Sequence, residues 1–127
     1  MSSEERFVLL ETLRKELSRV NKIVFAYVHG GFIERKFFRD IDIAVWVEDL
    51  ENITYYVLEL SVELRIKLRV PIDIQVLNNA PLPFRYHVLT RGALLFSRDE
   101  KLRQEILTYT CLLYTSPSPR DLSTSRM

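Results

Sequence analysis

The chain has 127 residues, 47% of them hydrophobic and 28% charged, with a formal net charge of +1. That composition points to one soluble domain with enough apolar mass for a core, and the neutral balance gives no basic footprint for nucleic acid. No apolar run reaches membrane-spanning length, the N-terminus is charged rather than signal-like, and a lone cysteine, Cys111, forms no internal disulfide, so a cytoplasmic setting is expected.

Ser2 and Glu5 have the spacing of a capping box, and Phe7, Leu10, Leu13, Leu17 and Val20 follow at helical spacing, which predicts a first helix to about Val20. Lys22 to His29 reads as a mostly buried strand broken by Gly30 and Gly31. A short segment to Phe38 leads into a second strand, Arg39 to Val47. Asn52 or Thr54 is placed to cap a helix running to about Arg69, which Val70-Pro71 ends. Pro71 to Leu77 alternates as a third strand. Pro81-Leu-Pro83 opens a short helix ending near Gly92, Ala93 to Phe96 is a short strand, and Asp99 starts a final helix. This order of strands and helices predicts an α/β or α+β fold with helices packed on a sheet.

Three aspartates break the pattern of those strands. Asp40 and Asp42 sit in Asp-Ile-Asp-Ile-Ala-Val, and Asp73 in Ile-Asp-Ile-Gln-Val, although aspartate is depleted in strands. Two residues apart, Asp40 and Asp42 point to one face, roughly 7 Å apart along the strand, while Ile41, Ile43 and Val45 take the other. Carboxylates crowded on a half-buried sheet repel one another unless a cation joins them. Mg²⁺ is the simplest such cation, a hard ion that shares carboxylate oxygens with substrate phosphates. Gly30-Gly31, at the exit of the preceding strand, lets the backbone approach a ligand and offer N–H groups to an anion. The pair alone reads as a plain tight turn. Eight residues ahead of Asp-x-Asp, it places a phosphate cradle one hairpin from a metal-binding pair.

Residues Tyr27 to Val47 resemble the signature of the DNA polymerase β nucleotidyltransferase superfamily: a strand, Gly-Ser, a spacer and Asp-x-Asp, with a third acidic residue on a later strand. Pro-Phe-Arg-Tyr-His at Pro83 to His87 and Gly-Ala-Leu-Leu-Phe-Ser-Arg-Asp at Gly92 to Asp99 resemble its minimal nucleotidyltransferases (MNT), and the likeness covers nearly all of Val24 to Glu105. The resemblance implies a polymerase β-like fold, a small mixed sheet with flanking helices. It implies that Asp40 and Asp42 hold two Mg²⁺ ions, and that Asp73 completes a metal site and helps deprotonate the acceptor. Gly30 and Gly31 would hold the β- and γ-phosphates of a nucleoside triphosphate. Arg39, next to the metal pair, reads equally as steadying the triphosphate charge or as part of a solvated basic loop. The implied reaction moves AMP from ATP to an acceptor hydroxyl. The implied partner is a HEPN-domain toxin modified on a tyrosine, with the chain as its antitoxin. Gly31 departs from the usual serine, whose hydroxyl bonds a phosphate oxygen. That departure favours an alternative, a catalytically degenerate antitoxin that neutralises its partner by contact alone. A small-molecule nucleotidyltransferase is a third reading, but no added acceptor domain is present.

Other residues read more plainly. Arg35 and Lys36 are assigned to a solvated basic loop, and His29 to a packed strand end. Arg85 and His87 are left between partner contact and support of the site. Two histidines and one cysteine do not make a Zn²⁺ site, and no nucleophile elbow supports a hydrolase. From Cys111 onward, Ser, Thr and Pro take over, and the string resembles a translated sequencing adapter. The expectation is therefore a nucleotidyltransferase domain over residues 1–110 and a non-native disordered tail over 111–127, with the native C-terminus missing.

Overall fold

The computed structural model describes residues 3–30 and 40–115. Ser2, Gly31, Arg35, Lys36, Arg39 and the segment 116–127 lie outside the described residues, and with them the capping box, the second glycine and the basic loop.

Among the described residues four strands and four helices follow one another. They are α1 (Ser3–Ser18), β1 (Ile23–His29), β2 (Ile41–Val47), α2 (Ile53–Leu68), β3 (Ile72–Val76), α3 (Leu82–Arg91), β4 (Ala93–Ser97) and α4 (Glu100–Thr115). The sheet has the order β3-β2-β1-β4. β1 pairs antiparallel with both β2 and β4, whereas β2 and β3 run parallel. A parallel pair needs a crossover of a dozen or more residues, and α2 supplies it. The sheet is thus mixed and flanked by helices, as the family resemblance implies.

Strand alternation divides the core in two. Ala26, Val28, Ile41, Ile43, Val45, Ile72 and Ile74 point to one face, where they pack with Leu9, Leu13 and Leu17 of α1 and Ile53 and Leu64 of α2. Phe25, Tyr27, Ala44 and Leu77 belong to the other face, under Val88 and Leu89 of α3 and Ile106 of α4. Burying side chains of this size stabilises the fold by about 1.5–3 kcal/mol each before the opposing chain entropy. On α1 the buried stripe is Leu9, Leu13 and Leu17, and Phe7 is 63% exposed. The sequence predicts Phe7 inside. The run Phe-Val-Leu-Leu at residues 7–10 offers two overlapping helical spacings, and packing selects the one through Leu9.

The ends of the elements depart from the sequence reading in physically simple ways. Asn52 occupies the N-cap position of α2 with φ 56°, but its side chain makes no capping hydrogen bond. Asp99 does cap α4, accepting from the Leu102 N–H at 3.0 Å. Asn78, just past β3, accepts from the Val47 N–H at 2.9 Å and donates to the Val47 carbonyl at 2.8 Å, so its amide continues the β2 ladder where β3 stops. Arg98 gathers the carbonyls of Ile23 at 2.9 Å and Val20 at 3.1 Å and that of Ser18, placing a guanidinium at the negative end of α1. The expectation of disorder from Cys111 fails for its first five residues. Helix α4 continues to Thr115, and Tyr114 stacks on Tyr86 of α3 with ring centroids 4.4 Å apart. Cys-Leu-Leu-Tyr-Thr contains no helix breaker; the next proline along the chain is Pro117.

Candidate active site

The strand register brings the sequence-predicted residues together. His29 pairs with Asp42 across β1 and β2, and Asp42 pairs with Asp73 across β2 and β3. Residues directly opposite one another in a ladder share a face, so three polar side chains form a row at one end of the sheet. The row lies on the face that α3 and α4 cover, beyond the apolar cluster of Phe25, Tyr27 and Ala44. Neighbouring strands are about 4.8 Å apart, which sets the two aspartates side by side.

Gly30 closes the row from above. Its φ is +75°, in the left-handed region, and a Cβ added there would stand 2.7 Å from Asp42 Oδ2. Backbone therefore lies directly against a carboxylate, an approach that only glycine permits.

Asp42 is half-buried, and Asp40 and Asp73 are exposed. Burial pushes the Asp42 carboxyl above its ordinary range; His29 opposes the shift, while Asp40 and Asp73 add to it. Burial likewise pushes His29 down, against the pull of the Asp42 carboxylate. Asp40 precedes β2 instead of lying within it, so its place in the row is not fixed by the ladder as the sequence pattern implies. Among the described residues no three His, Cys, Asp or Glu side chains converge closely enough to hold an ion as they stand. The donor set still suits a hard divalent cation: carboxylate oxygens, one of them in an environment that disfavours its negative charge, beside a backbone cradle that a Cβ would fill.

Arg85 and Trp46 lie at the other, apolar end of this face, away from the row. Arg85 donates to the Asn78 carbonyl at 2.9 Å and lies 5.6 Å from the Trp46 ring centroid, and Trp46 stacks on Phe25 at 5.9 Å. Arg85 thus ties α3 to the end of β3. Gln75, which the sequence reading passed over, donates to Asp73 Oδ2 at 3.1 Å. The signal was available: Gln75 is polar, two residues beyond Asp73, and so on the same face of an otherwise apolar strand.

The family model "Polymerase beta, Nucleotidyltransferase" matches residues 11–101, well over half of the chain. The chain belongs to the polymerase β nucleotidyltransferase family. Solved structures agree on the fold. The MntA-HepT toxin–antitoxin crystal structure is 24% identical, covers 92% of this chain and 92% of its own, and superposes with a TM-score of 0.69. A tri-AMPylated Shewanella oneidensis HEPN toxin in complex with its MNT antitoxin gives 22% identity, 94% and 93% coverage and a TM-score of 0.70. A toxin–antitoxin crystal structure with AMP-PNP gives 23%, 90% and 91%, and 0.68. Comparison with curated proteins finds no match. This member of the nucleotidyltransferase family therefore shares its fold with those toxin–antitoxin structures. Among the described residues no helix is long and apolar enough to cross a membrane.

Proposed function

We propose that the chain is an ATP-dependent nucleotidyltransferase that places AMP on a tyrosine of a HEPN-domain partner and thereby acts as an antitoxin. The observation that carries this reading is the approach of Gly30 to Asp42, in register with Asp73. A glycine backbone and two aligned carboxylates are what a triphosphate and its counter-ions require. In the proposed reaction the acceptor oxygen attacks the α-phosphorus of ATP, the bond to the β-phosphate bridge breaks, and pyrophosphate leaves. Asp73, the more exposed carboxylate, takes the acceptor proton. Asp40 and Asp42, with Asp73, would hold Mg²⁺, which when bound supplies charge neutralisation at the attacking and leaving oxygens. Gly30, with Gly31 and Arg39 of the neighbouring segment, would hold the triphosphate. The exposed apolar residues Tyr55, Leu58, Val62 and Ile66 on α2 and Tyr109 on α4 fit a chain that works against another protein.

The test is label transfer from ATP marked at the α-phosphate to the HEPN protein, with Mg²⁺ present, beside Asp42→Asn. Covalent AMP on the partner, abolished in Asp42→Asn, is the expected result. Neutralisation of the toxin that survives Asp42→Asn would instead establish the contact-only antitoxin that Gly31 favours.

A further inference from the structure

Beside the carboxylates runs a polar chain that the reaction so far leaves unused. His29 ends β1 and is buried, 6% exposed, with its ring edge-on to Phe84 at a centroid distance of 5.3 Å. Its Nε2 lies 3.1 Å from Gln75 Oε1, and Gln75 Nε2 lies 3.1 Å from Asp73 Oδ2. The contact crosses β2 beside Ala44, the partner of Gln75 in the ladder, whose single methyl leaves room for it.

The direction of this chain is forced from the carboxylate end. An ionised carboxylate accepts hydrogen bonds and donates none. Gln75 must therefore turn its NH₂ group to Asp73, which aims its carbonyl oxygen at His29. That oxygen can only accept, so His29 must carry a proton on Nε2.

We propose that Gln75 is a positioning residue for Asp73 and that His29 locks Gln75 in place through its Nε2–H donor. Asp73 is exposed on β3, and its carboxylate would otherwise rotate freely. A bond at Oδ2 fixes the carboxylate plane and leaves Oδ1 for the incoming hydroxyl. Gln75 has a long side chain of its own to order, and the buried imidazole supplies the anchor. Orientation of this kind acts on the chemical step, since misplaced reacting groups lose rate while bound substrate is retained.

The positioning role rests on the transfer reading of the site, and two measurements on the full chain separate them. Nitrogen-15 NMR of the His29 ring reads the anchor without any reaction. The wild type should show the Nε2–H tautomer, with a signature that changes in Gln75→Met. A Nδ1–H tautomer, or a signature indifferent to Gln75→Met, overturns the chain of bonds. Steady-state transfer of AMP from ATP to the HEPN protein reads the consequence. Gln75→Met and His29→Phe should each lower kcat by about 10-fold to 100-fold with the KM for ATP unchanged, the range typical of groups that orient a functional side chain. The double variant should be no worse than either, and His29→Gln, which keeps an N–H donor, should recover most of the rate. Losses carried by KM, additive losses, or no recovery with His29→Gln overturn the positioning role. A wild-type chain that transfers nothing while showing the Nε2–H signature sinks the transfer reading and the positioning role with it, but leaves the bonds standing.

Discussion

The two faces of this sheet are built from the same strands and have opposite tasks. On the face under α1 and α2, every inward position of β2 and β3 is an aliphatic: Ile41, Ile43, Val45, Val47, Ile72, Ile74 and Val76. The other face alternates with it residue by residue and is divided along its length. One end packs Phe25, Tyr27, Ala44 and Leu77 under α3 and α4, and the other carries His29, Asp42, Asp73 and Gln75. The first face supplies stability that the second spends. Because adjacent residues of one strand serve opposite faces, substituting neighbours one position apart should separate folding from function.

The largest contrast should come from Asp42→Asn against Ile43→Ala. Asp42→Asn should lower AMP transfer by about 10³-fold, about 4 kcal/mol of transition-state stabilisation, while the circular dichroism spectrum stays native. Loss of fold in that variant would erase the division between the faces. Ile43→Ala, one residue away, should lower unfolding stability by about 2–5 kcal/mol in a urea titration, and the fraction that remains folded should keep its nucleotide affinity. Gly30→Ala comes next. It forces a side chain into left-handed backbone, at about 1–2 kcal/mol, and drives a methyl toward Asp42 Oδ2. Both stability and Mg²⁺-dependent ATP binding should fall, measurable by thermal melting and calorimetry; a variant impaired in neither would remove the reason for glycine at this position.

A smaller effect has the opposite sign. Asp42 titrates above its ordinary range when folded, so its contribution is most favourable below the unfolded value of 3.8 and is lost as pH rises through the folded value. At neutral pH without Mg²⁺, Asp42→Asn should therefore raise Tm, and the gain should vanish in acid below that unfolded value. An unchanged Tm at neutral pH would mean that the site stores no electrostatic strain. Smallest is the pair at the start of α4. Arg103 holds Glu100 with two bonds of 2.7 Å and donates to Tyr27 Oη at 2.7 Å. The Glu100 carboxyl is pulled down to about 2, chiefly by Arg103, so its contribution is present above 4.5 and lost toward 2. The pair is solvent-exposed on the Glu100 side, and Glu100→Gln should change acid unfolding only slightly in that window.

Much of this arrangement was legible because aspartate in a strand is an anomaly that period-two alternation assigns to a face. Asp42 and Asp73 could be read that way, as could the turn at Gly30 and the boundaries set by Pro71 and Pro81. Pairing register could not, since nothing local in Ile-Asp-Ile says which residue of another strand lies opposite. The row from His29 through Asp42 to Asp73 therefore appears only in the folded chain, and with it the bond from His29 to Gln75. His29 was legible as a packed strand end but not as a donor. Phe7 was misplaced because four consecutive apolar residues fit two helical stripes equally well. Disorder is expected at Cys111 to Thr115 from composition further along the chain, but these five residues are themselves compatible with the helix that contains them.

The parallel register of β2 and β3 also acts as a ruler with one setting. Ile41, Asp42 and Ile43 face Ile72, Asp73 and Ile74 one for one. A slip of a single residue would bring an isoleucine beside Asp42 and send Asp73 into the apolar layer under α1 and α2. Alignment of the two carboxylates and burial of the core are thus the same event, and a molecule that has folded cannot have them out of step. Insertions in the connections on either side of α2 should leave that setting intact, whereas one residue added within β3 should lower stability and disrupt the site together.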